Sequence, residues 1–321
     1  MQEKPRILAV VGPTASGKSA LALELARRLD GEIVICDSMQ IYRGMDIGTA
    51  KPTAADRAAV PHHLVDIVDP EEAFSAMDYV AAANRAVADI LSRGRLPILC
   101  GGTGLYLDAF LRGESFETPG ADPAVRAELA ALADERGAEY LHAQLSEVDP
   151  EAAEAIHPNN LRRVIRALEL YRATGVTKTE WDRRSREVPA RFDATVIGLC
   201  YQNREMLYER IARRVDEMLA EGLLDEVLAL SARGVFERSP TAAGAIGYKE
   251  LLPYFAHECT LAEAVTELKT ATRRYAKRQM TWFAAKPYVK WLTMDDGESP
   301  RKYEEIVNMA LELCERPKNM L

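Results

Sequence analysis

The chain has 321 residues and a formal net charge of −8, and 48% of its residues are hydrophobic and 28% charged. This ordinary globular composition excludes intrinsic disorder and collagen-like architectures, and the length predicts one large domain with an appended lobe, or two domains. No apolar run approaches the ~20 residues of a membrane span and the N-terminus lacks a signal-peptide pattern, so we expect a cytoplasmic protein with no membrane partner.

Strand-like and helical segments alternate along much of the chain. Two short apolar runs, Ile7–Val11 and Ile33–Cys36, flank a helical stretch at Ala20–Leu29. Later strands are predicted at His63–Val68, Pro97–Cys100, Thr195–Leu199 and Val289–Leu292, with helices such as Met77–Arg93 and Met206–Ala220. The alternation predicts an α/β fold, in which helices flank a parallel sheet of the P-loop type.

The pattern changes between about Glu117 and Pro189, where no convincing strand occurs. Helical runs at Pro123–Arg136 and Leu161–Thr174 are separated by proline-containing turns. We therefore predict an all-helical insertion domain at 117–189, within a discontinuous core formed by 1–116 and 190–321.

Cysteine and histidine positions do not suggest a disulfide framework or a metal site. The five cysteines are scattered along the chain, which is typical of buried thiols in a protein that is not secreted. We interpret the adjacent His62 and His63 as packing or capping residues beside a strand.

The segment between the first strand and the first helix matches the P-loop pattern in full, in the strand–turn–helix context that the pattern requires. Backbone N–H groups of such a loop point inward around an anion, and the helix N-terminus adds a favourable dipole. The lysine neutralises phosphate oxygens and the serine offers a hydroxyl to Mg²⁺. The pattern predicts a diphosphate or triphosphate site formed by Gly12, Pro13, Thr14, Ala15, Ser16, Gly17, Lys18 and Ser19, with Ser19 as the Mg²⁺ ligand.

Asp37 directly follows the second predicted strand. Residues just past the C-terminal ends of parallel strands face the ligand crevice, so Asp37 is placed to act as a base or as an outer-sphere Mg²⁺ ligand. A helix N-cap is the alternative role. A second glycine-rich turn, Gly101–Tyr106, follows the strand at Pro97–Cys100, and two such turns at one sheet edge favour a binding crevice over glycines that merely form turns.

Positive charge is concentrated in two segments of this acidic chain. Residues 160–191 carry a local balance of +5 and residues 269–290 a balance of +7. This distribution favours a polyanionic partner held at a defined site, although solvated basic helix faces would give the same pattern.

Each basic segment has a helical arrangement. Arg162, Arg163 and Arg166 are spaced to share one helix face. In Arg273–Phe283 cations alternate with aromatic residues, which suits RNA because bases stack on aromatic rings while cations neutralise phosphates. We interpret Trp282 and Phe283 as core residues rather than stacking platforms.

Together these motifs resemble the tRNA dimethylallyltransferase family. The segments that carry the resemblance, in the family's order, are Gly12–Ser19, Asp37–Tyr42 with Gly48–Pro52, Pro61–Leu64, Gly101–Tyr106, His157–Glu169, Ala245–Glu250 and Arg273–Phe283. One position departs, because the family usually has Gln where this chain has Gly244. The resemblance implies transfer of a dimethylallyl group from its diphosphate to the exocyclic N6 amine of the adenosine 3′-adjacent to the anticodon in tRNA.

The resemblance also implies roles for individual residues. The P-loop would hold dimethylallyl diphosphate with Mg²⁺ rather than ATP, and Arg214 would contact the diphosphate. Asp37 would take the proton from the amine, and Thr103 would lie beside the reacting centre. The tRNA anticodon stem-loop would contact Asp37, Ser38, Met39, Gln40, Thr103, Arg126, Leu161, Arg162, Arg163, Val164, Ile165, Gly247, Tyr248, Lys249, Arg273, Arg274, Lys277 and Arg278. We expect a monomer, since one anticodon loop needs one cleft.

Three other activities stay open from the sequence. An adenylate dimethylallyltransferase shares the P-loop and the aspartate but modifies free nucleotide, and the Arg162–Arg166 helix favours tRNA over that acceptor. A P-loop small-molecule kinase would consume ATP and leave both basic segments unexplained. A non-catalytic RNA-binding module is disfavoured by Asp37 beside the loop.

Overall fold

Six parallel strands form one sheet in the order β3-β2-β4-β1-β5-β6. The computed structural model describes residues 4–112, 122–187 and 190–315. The strands are β1 (Arg6–Val11), β2 (Gly31–Ile35), β3 (His62–His63), β4 (Leu96–Gly101), β5 (Asp193–Cys200) and β6 (Val289–Thr293). The central β1 pairs with β4 on one side and with β5 on the other.

Helices make up most of the remaining described chain. They are α1 (Lys18–Arg28), α2 (Ala54–Ala59), α3 (Ala76–Ser92), α4 (Gly104–Arg112), α5 (Pro123–Arg136), α6 (Ala138–Val148), α7 (Pro150–Ala155), α8 (Leu161–Thr174), α9 (Lys178–Glu187), α10 (Arg204–Ala220), α11 (Leu223–Ala232), α12 (Val235–Arg238), α13 (Pro240–Ala243), α14 (Leu252–Phe255), α15 (Leu261–Ala284) and α16 (Tyr303–Glu315). None of the helices in the described ranges is long and apolar enough to cross a membrane.

Apolar residues cover both faces of the sheet. Along β1, Leu8 and Val10 pack in one cluster with α1 and α16, whereas Ile7, Ala9 and Val11 pack in a second cluster with α3 and α4. Successive strand residues point to opposite faces, so an unbroken apolar run is what a strand buried on both faces requires. The predicted α/β fold with a helix-flanked parallel sheet is confirmed.

The chain divides into two compact units. The core unit comprises Met1–Leu111 with Phe192–Leu321, and the helical unit comprises Arg112–Arg191. All six strands lie in the core unit, and the described residues of the helical unit contain α5 to α9 and no strand. Residues 113–121 and 188–189, at which the predicted boundaries of the insertion lie, are outside the described residues.

The strand predicted at His63–Val68 is wrong in its extent. β3 contains only His62 and His63, because Leu64 (φ 64°) and Asp66 (φ 56°) adopt left-handed backbone conformations that end the extended chain. A single bridge between Tyr42 and Val68 is all that continues the pairing.

A buried carboxylate on β2, that of Glu32, is bonded to side chains of His63 and Arg93. The side chain of Glu32 is 1% exposed and is held by Arg93, whose Nη2 donates to Oε2 at 2.9 Å, and by His63 Nε2 at 2.7 Å. The Arg93 guanidinium holds the pKa of Glu32 at about 2, below its usual range. His62 turns instead to the carbonyl oxygen of Val60, with Nδ1 at 2.8 Å.

We predict that Glu32→Gln lowers the free energy of unfolding by about 2 kcal/mol at pH 7, because the depressed pKa stabilises the ionised carboxylate only in the folded state. This contribution is fully present above the unfolded pKa, near 4.5, and is lost as the pH falls toward 2. Urea titrations between pH 3 and 7 should therefore show the difference from the native protein shrinking below pH 4.5. Glu304→Gln, which changes an exposed carboxylate, is the control. If the difference in unfolding free energy between Glu32→Gln and the native protein did not change with pH, the lowered pKa of Glu32 would be contradicted.

Candidate functional site

The turn after β1 curls back on itself before α1 begins at Lys18. Gly12 adopts a φ of 146° and Gly17 a φ of 94°, backbone conformations in which a larger residue would be strained. Space is also missing at Gly12, where a Cβ atom would lie 2.9 Å from the carbonyl oxygen of Leu199. The loop thus leads directly into a helix N-terminus, which is the arrangement that holds phosphate groups.

A cavity of about 330 Å³ lies beside this loop, and all of its lining residues belong to the core unit. Lys18, Ser19 and Asp37 line it from the sheet edge, and Arg214 lines it from α10. Its apolar wall consists of Ile211, Val215 and Met218 from α10 with Leu268 and Tyr275 from α15. The cavity therefore offers cations, a carboxylate and an apolar surface to one ligand.

Lys18 and Arg214 place two positive charges close together in this partly buried space. Burial and then the Arg214 guanidinium lower the pKa of Lys18, and burial also lowers the pKa of Arg214. The Asp37 carboxylate opposes both shifts. A bound polyanion would reverse them, because it supplies the negative charge that the two cations lack.

The segment after β2 presents Asp37 in a turn rather than at the start of a helix. Its Oδ1 accepts a hydrogen bond from the N–H of Met39 at 2.9 Å. The Oγ1 of Thr103 accepts from the N–H of Ser38 at 3.0 Å. The helix N-cap alternative for Asp37 is therefore wrong, since residues 38–41 form a turn, and Thr103 fastens this turn to the one that follows β4.

Ser19 and Asp37 offer the donor chemistry that Mg²⁺ prefers. Both line the cavity next to Lys18, and both present oxygen atoms. Mg²⁺ usually takes one or two protein oxygens and completes its shell with water and ligand phosphate, so these residues fit the ion. Among the described residues no group of three acidic, histidine or cysteine side chains could hold a metal on its own.

The core unit presents part of the predicted RNA-binding set on exposed surface. Arg273, Arg274, Lys277 and Arg278 are exposed along α15, and Lys249 is exposed in the preceding segment. Arg274 Nη1 lies 3.3 Å from Glu267, and the Arg278 guanidinium lies 5.6 Å from the centre of the Tyr275 ring. Gly247 and Tyr248 are buried.

Tyr248, one of the predicted RNA-binding residues, is buried. Its side chain is 0% exposed within a core cluster, and its hydroxyl donates to Glu226 at 2.7 Å. The side chain therefore packs in the core, and the RNA contact predicted for Tyr248 stays a prediction.

In the helical unit, Arg162 and Arg163 are exposed, whereas Val164 and Ile165 are buried in the cluster shared by α5 to α8. The side chains of Val164 and Ile165 therefore form the inner stripe of α8, and the RNA contacts predicted for these two residues stay predictions. Leu161, at the start of that helix, is partly buried.

Arg126, also in the helical unit, is tied to a buried carboxylate. Its Nη2 donates to Glu169 at 2.9 Å, and Arg166 lies 3.0 Å from the same oxygen. Glu169 is only 1% exposed, so these two arginines compensate a charge that would otherwise be buried alone.

Three polar residues that brace the site were missed by sequence reasoning. Arg210 on α10 donates from Nε to the carbonyl oxygen of Ala15 at 2.9 Å. Gln279 on α15 accepts from the N–H of Thr14 at 2.8 Å. Both contacts join residues nearly two hundred or more positions apart, which no local pattern reveals.

Glu226 is the third missed residue. Its carboxylate accepts hydrogen bonds from the N–H groups of Asp46, Ile47 and Gly48 at 2.8–3.0 Å. With the Tyr248 hydroxyl it holds the segment that contributes Gly48 to the cavity wall.

Gly244 lines the cavity without a side chain and is exposed. A Cβ atom there would lie 3.1 Å from the carbonyl oxygen of Pro240, so a larger residue would need a small backbone shift. Any contact that a glutamine side chain makes at this position is missing from this chain.

The parallel sheet, the loop around Lys18 and the cation-lined cavity define a P-loop α/β protein. A family model described as IPP transferase matches residues 40–286. The chain belongs to this family.

Relatives match over nearly the whole chain. It is 49% identical over 316 residues to a tRNA dimethylallyltransferase of Halalkalibacterium halodurans, with 98% of this chain and 100% of the relative covered. It is 50% identical over 302 residues to one of Geobacillus thermodenitrificans, covering 94% and 95%.

Solved structures agree with the sequence matches. The full-length tRNA isopentenylpyrophosphate transferase from Bacillus halodurans is similar with a TM-score of 0.70 at 46% identity, covering 97% of both chains. A eukaryotic dimethylallyltransferase acting on tRNA is similar with a TM-score of 0.82 at 29% identity, covering 98% of this chain and 81% of the other.

We predict that inorganic diphosphate raises the melting temperature and that Lys18→Ala weakens its binding at least ~10-fold, because Lys18 is a partly buried point charge beside the anion. Affinity should also fall at alkaline pH, since the lowered pKa of Lys18 makes it lose its proton earlier than an ordinary lysine. Isothermal titration with Mg²⁺ present measures both effects. The exposed Lys302→Ala variant should bind like the native protein, and equal affinity in Lys18→Ala would exclude this residue from the anion site.

Proposed function

We propose that the protein transfers a dimethylallyl group from dimethylallyl diphosphate to the exocyclic N6 amine of the adenosine 3′-adjacent to the anticodon in tRNA. The observation that carries the proposal is one cavity in which Lys18 and Arg214 lie beside Asp37. The relatives named tRNA dimethylallyltransferase, at up to 50% identity, support it.

The cations act on the leaving group. As the carbon–oxygen bond of the allylic diphosphate breaks, its electron pair stays on the diphosphate oxygen, so negative charge grows there. In this proposal Lys18, Arg214 and N–H groups of the P-loop stabilise this charge. The apolar wall from α10 and α15 would surround the prenyl carbons and exclude water from them.

Mg²⁺ would be held by the Ser19 hydroxyl and, through water, by Asp37, together with oxygens of the substrate. When bound, it supplies additional positive charge to the leaving diphosphate.

Asp37 acts on the acceptor. The N6 lone pair of adenine attacks the prenyl carbon that the diphosphate leaves. The amine nitrogen must lose a proton as this new bond forms. Asp37 is the carboxylate that lines the cavity, Thr103 holds the turn that follows it, and in this proposal Asp37 accepts the proton. The adenine must leave the RNA stack, at a cost of a few kcal/mol that is smallest in a single-stranded loop.

Each unit contributes exposed cations for the RNA backbone. Arg273, Arg274 and Lys277 lie on α15, and Arg162 and Arg163 lie on α8. A free nucleotide offers a single phosphate group to these exposed cations, whereas an RNA backbone offers many, which favours tRNA as the acceptor.

The direct test is incubation with dimethylallyl diphosphate and a mixture of unmodified tRNA and AMP, followed by nucleoside mass analysis. The proposal requires that the mass of one dimethylallyl group appear on an adenosine of tRNA. Modification of AMP alone would support the free-nucleotide activity, and ATP consumption with a phosphorylated product would support a kinase. A monomeric state and a cytoplasmic location stay predictions.

We predict that Asp37→Asn lowers the single-turnover rate by ~10²-fold or more, because the amide keeps the shape of the side chain but cannot accept the proton. Diphosphate and tRNA affinities should stay within a few-fold. If Asp37 acts mainly through Mg²⁺, affinity falls together with rate and extra Mg²⁺ restores both. A near-normal single-turnover rate would exclude Asp37 as the base.

We predict that tRNA binding depends strongly on salt although the chain is acidic. Each neutralised phosphate contributes roughly 0.7 to the log–log salt slope for single-stranded contacts. Arg274→Ala with Lys277→Ala should flatten the slope without changing diphosphate affinity, because neither residue lines the cavity. Arg27→Ala with Lys302→Ala, two exposed cations elsewhere on the core unit, is the matched control. An unchanged slope would remove α15 from the RNA interface.

A further inference from the structure

Gln279 joins two loops that are far apart in the sequence. Its Oε1 accepts the N–H of Thr14 in the P-loop at 2.8 Å, and its Nε2 donates to the carbonyl oxygen of Gly102 at 3.1 Å. The residue is only 5% exposed. One buried amide therefore satisfies a donor of the first loop and an acceptor of the second.

The second loop is shaped to admit this amide. A Cβ atom at Gly102 would lie 2.0 Å from Nε2 of Gln279. Gly102 does not adopt a positive φ, so its backbone conformation does not require glycine. The missing side chain makes the space that Gln279 fills.

The contacts of Gln279 continue toward Asp37. Thr103 follows Gly102 in the chain, and its Oγ1 accepts the N–H of Ser38 at 3.0 Å. Ser38 in turn follows Asp37. Hydrogen bonds and short stretches of backbone therefore connect Thr14, through Gln279, to Asp37.

We infer that Gln279 is a positioning residue that fixes the separation between the P-loop and the Asp37 turn, and so between the leaving diphosphate and the attacking amine. The inference rests on the proposed function. Gln279 lines the cavity, but its amide oxygen and nitrogen are engaged by Thr14 and Gly102, so its loss should lower the rate of transfer and leave both affinities nearly unchanged. A misplacement of about 1 Å is enough to cost ~10²-fold in rate.

Gln279→Glu is the first test, because it keeps the length of the side chain and one acceptor for Thr14. When the new carboxyl is ionised, its other oxygen faces the Gly102 carbonyl oxygen and repels it, whereas the protonated carboxyl can donate there as the amide does. The single-turnover rate relative to the native enzyme should fall at least ~30-fold at pH 8 and recover as the pH is lowered. The exposed Gln202→Glu is the control. A ratio that does not change with pH would overturn the inference.

A double-mutant cycle tests the same contact without depending on the carboxyl. Gly102→Ala alone forces the amide away, but in a Gln279→Ala background the added methyl group has space. Gly102→Ala should therefore cost much less, in rate and in unfolding midpoint, when Gln279 is already alanine. Additive effects would overturn the inference. If the native protein transfers no prenyl group, the proposed function is refuted instead. The double-mutant cycle measured by unfolding midpoints would then still show whether Gln279 and Gly102 are in contact.

Discussion

The parallel arrangement of three neighbouring strands is the constraint on which the site depends. β2, β4 and β1 lie side by side in that order, so the segments that follow them emerge at the same sheet edge. These segments carry Asp37, the Gly101–Tyr106 turn and the P-loop respectively. The middle turn is pressed against its neighbour, because a Cβ atom at Gly101 would lie 1.9 Å from the carbonyl oxygen of Cys36. Any shift of β4 against β2 would separate the carboxylate from the loop that holds the anion.

Electrostatics explains why a chain of net charge −8 can present an anion site. Elsewhere in the chain buried acidic and basic groups compensate each other, as Glu169 does with Arg126 and Arg166. In the cavity, the Asp37 carboxylate acts on both Lys18 and Arg214, and burial lowers the pKa of both cations. Two cations held together in this way are unfavourable in the free protein, and the diphosphate of the proposed function would offset that cost.

The parts of the site that depend on local sequence were predictable. The P-loop and Asp37 could be placed because each lies within a few residues of a strand that the apolar pattern reveals. Arg210, Gln279 and Glu226 could not, because their partners are distant in sequence and only the folded chain brings them together.

Burial was the other limit of sequence reasoning. Val164 and Tyr248 occur in motifs rich in functional residues, yet they are packed inside, since a motif does not show which face of its element points inward. The strand predicted at His63–Val68 ended early for a similar reason. A largely apolar run continues to Val68, but Leu64 and Asp66 adopt positive φ angles that no pattern of hydrophobicity encodes.

The glycines of the site resolve an ambiguity that the sequence left open, between turn formation and close packing. Gly48, Gly102 and Gly104 have no positive φ, so turn conformation does not require glycine at these positions. At each one a Cβ atom would lie 2.0–2.6 Å from one large side chain: Tyr248 against Gly48, Gln279 against Gly102 and Trp282 against Gly104. Two of these three side chains come from α15. The glycine-rich turns and α15 therefore pack closely against each other. A larger residue on one side is tolerated only if the residue facing it on the other side becomes smaller.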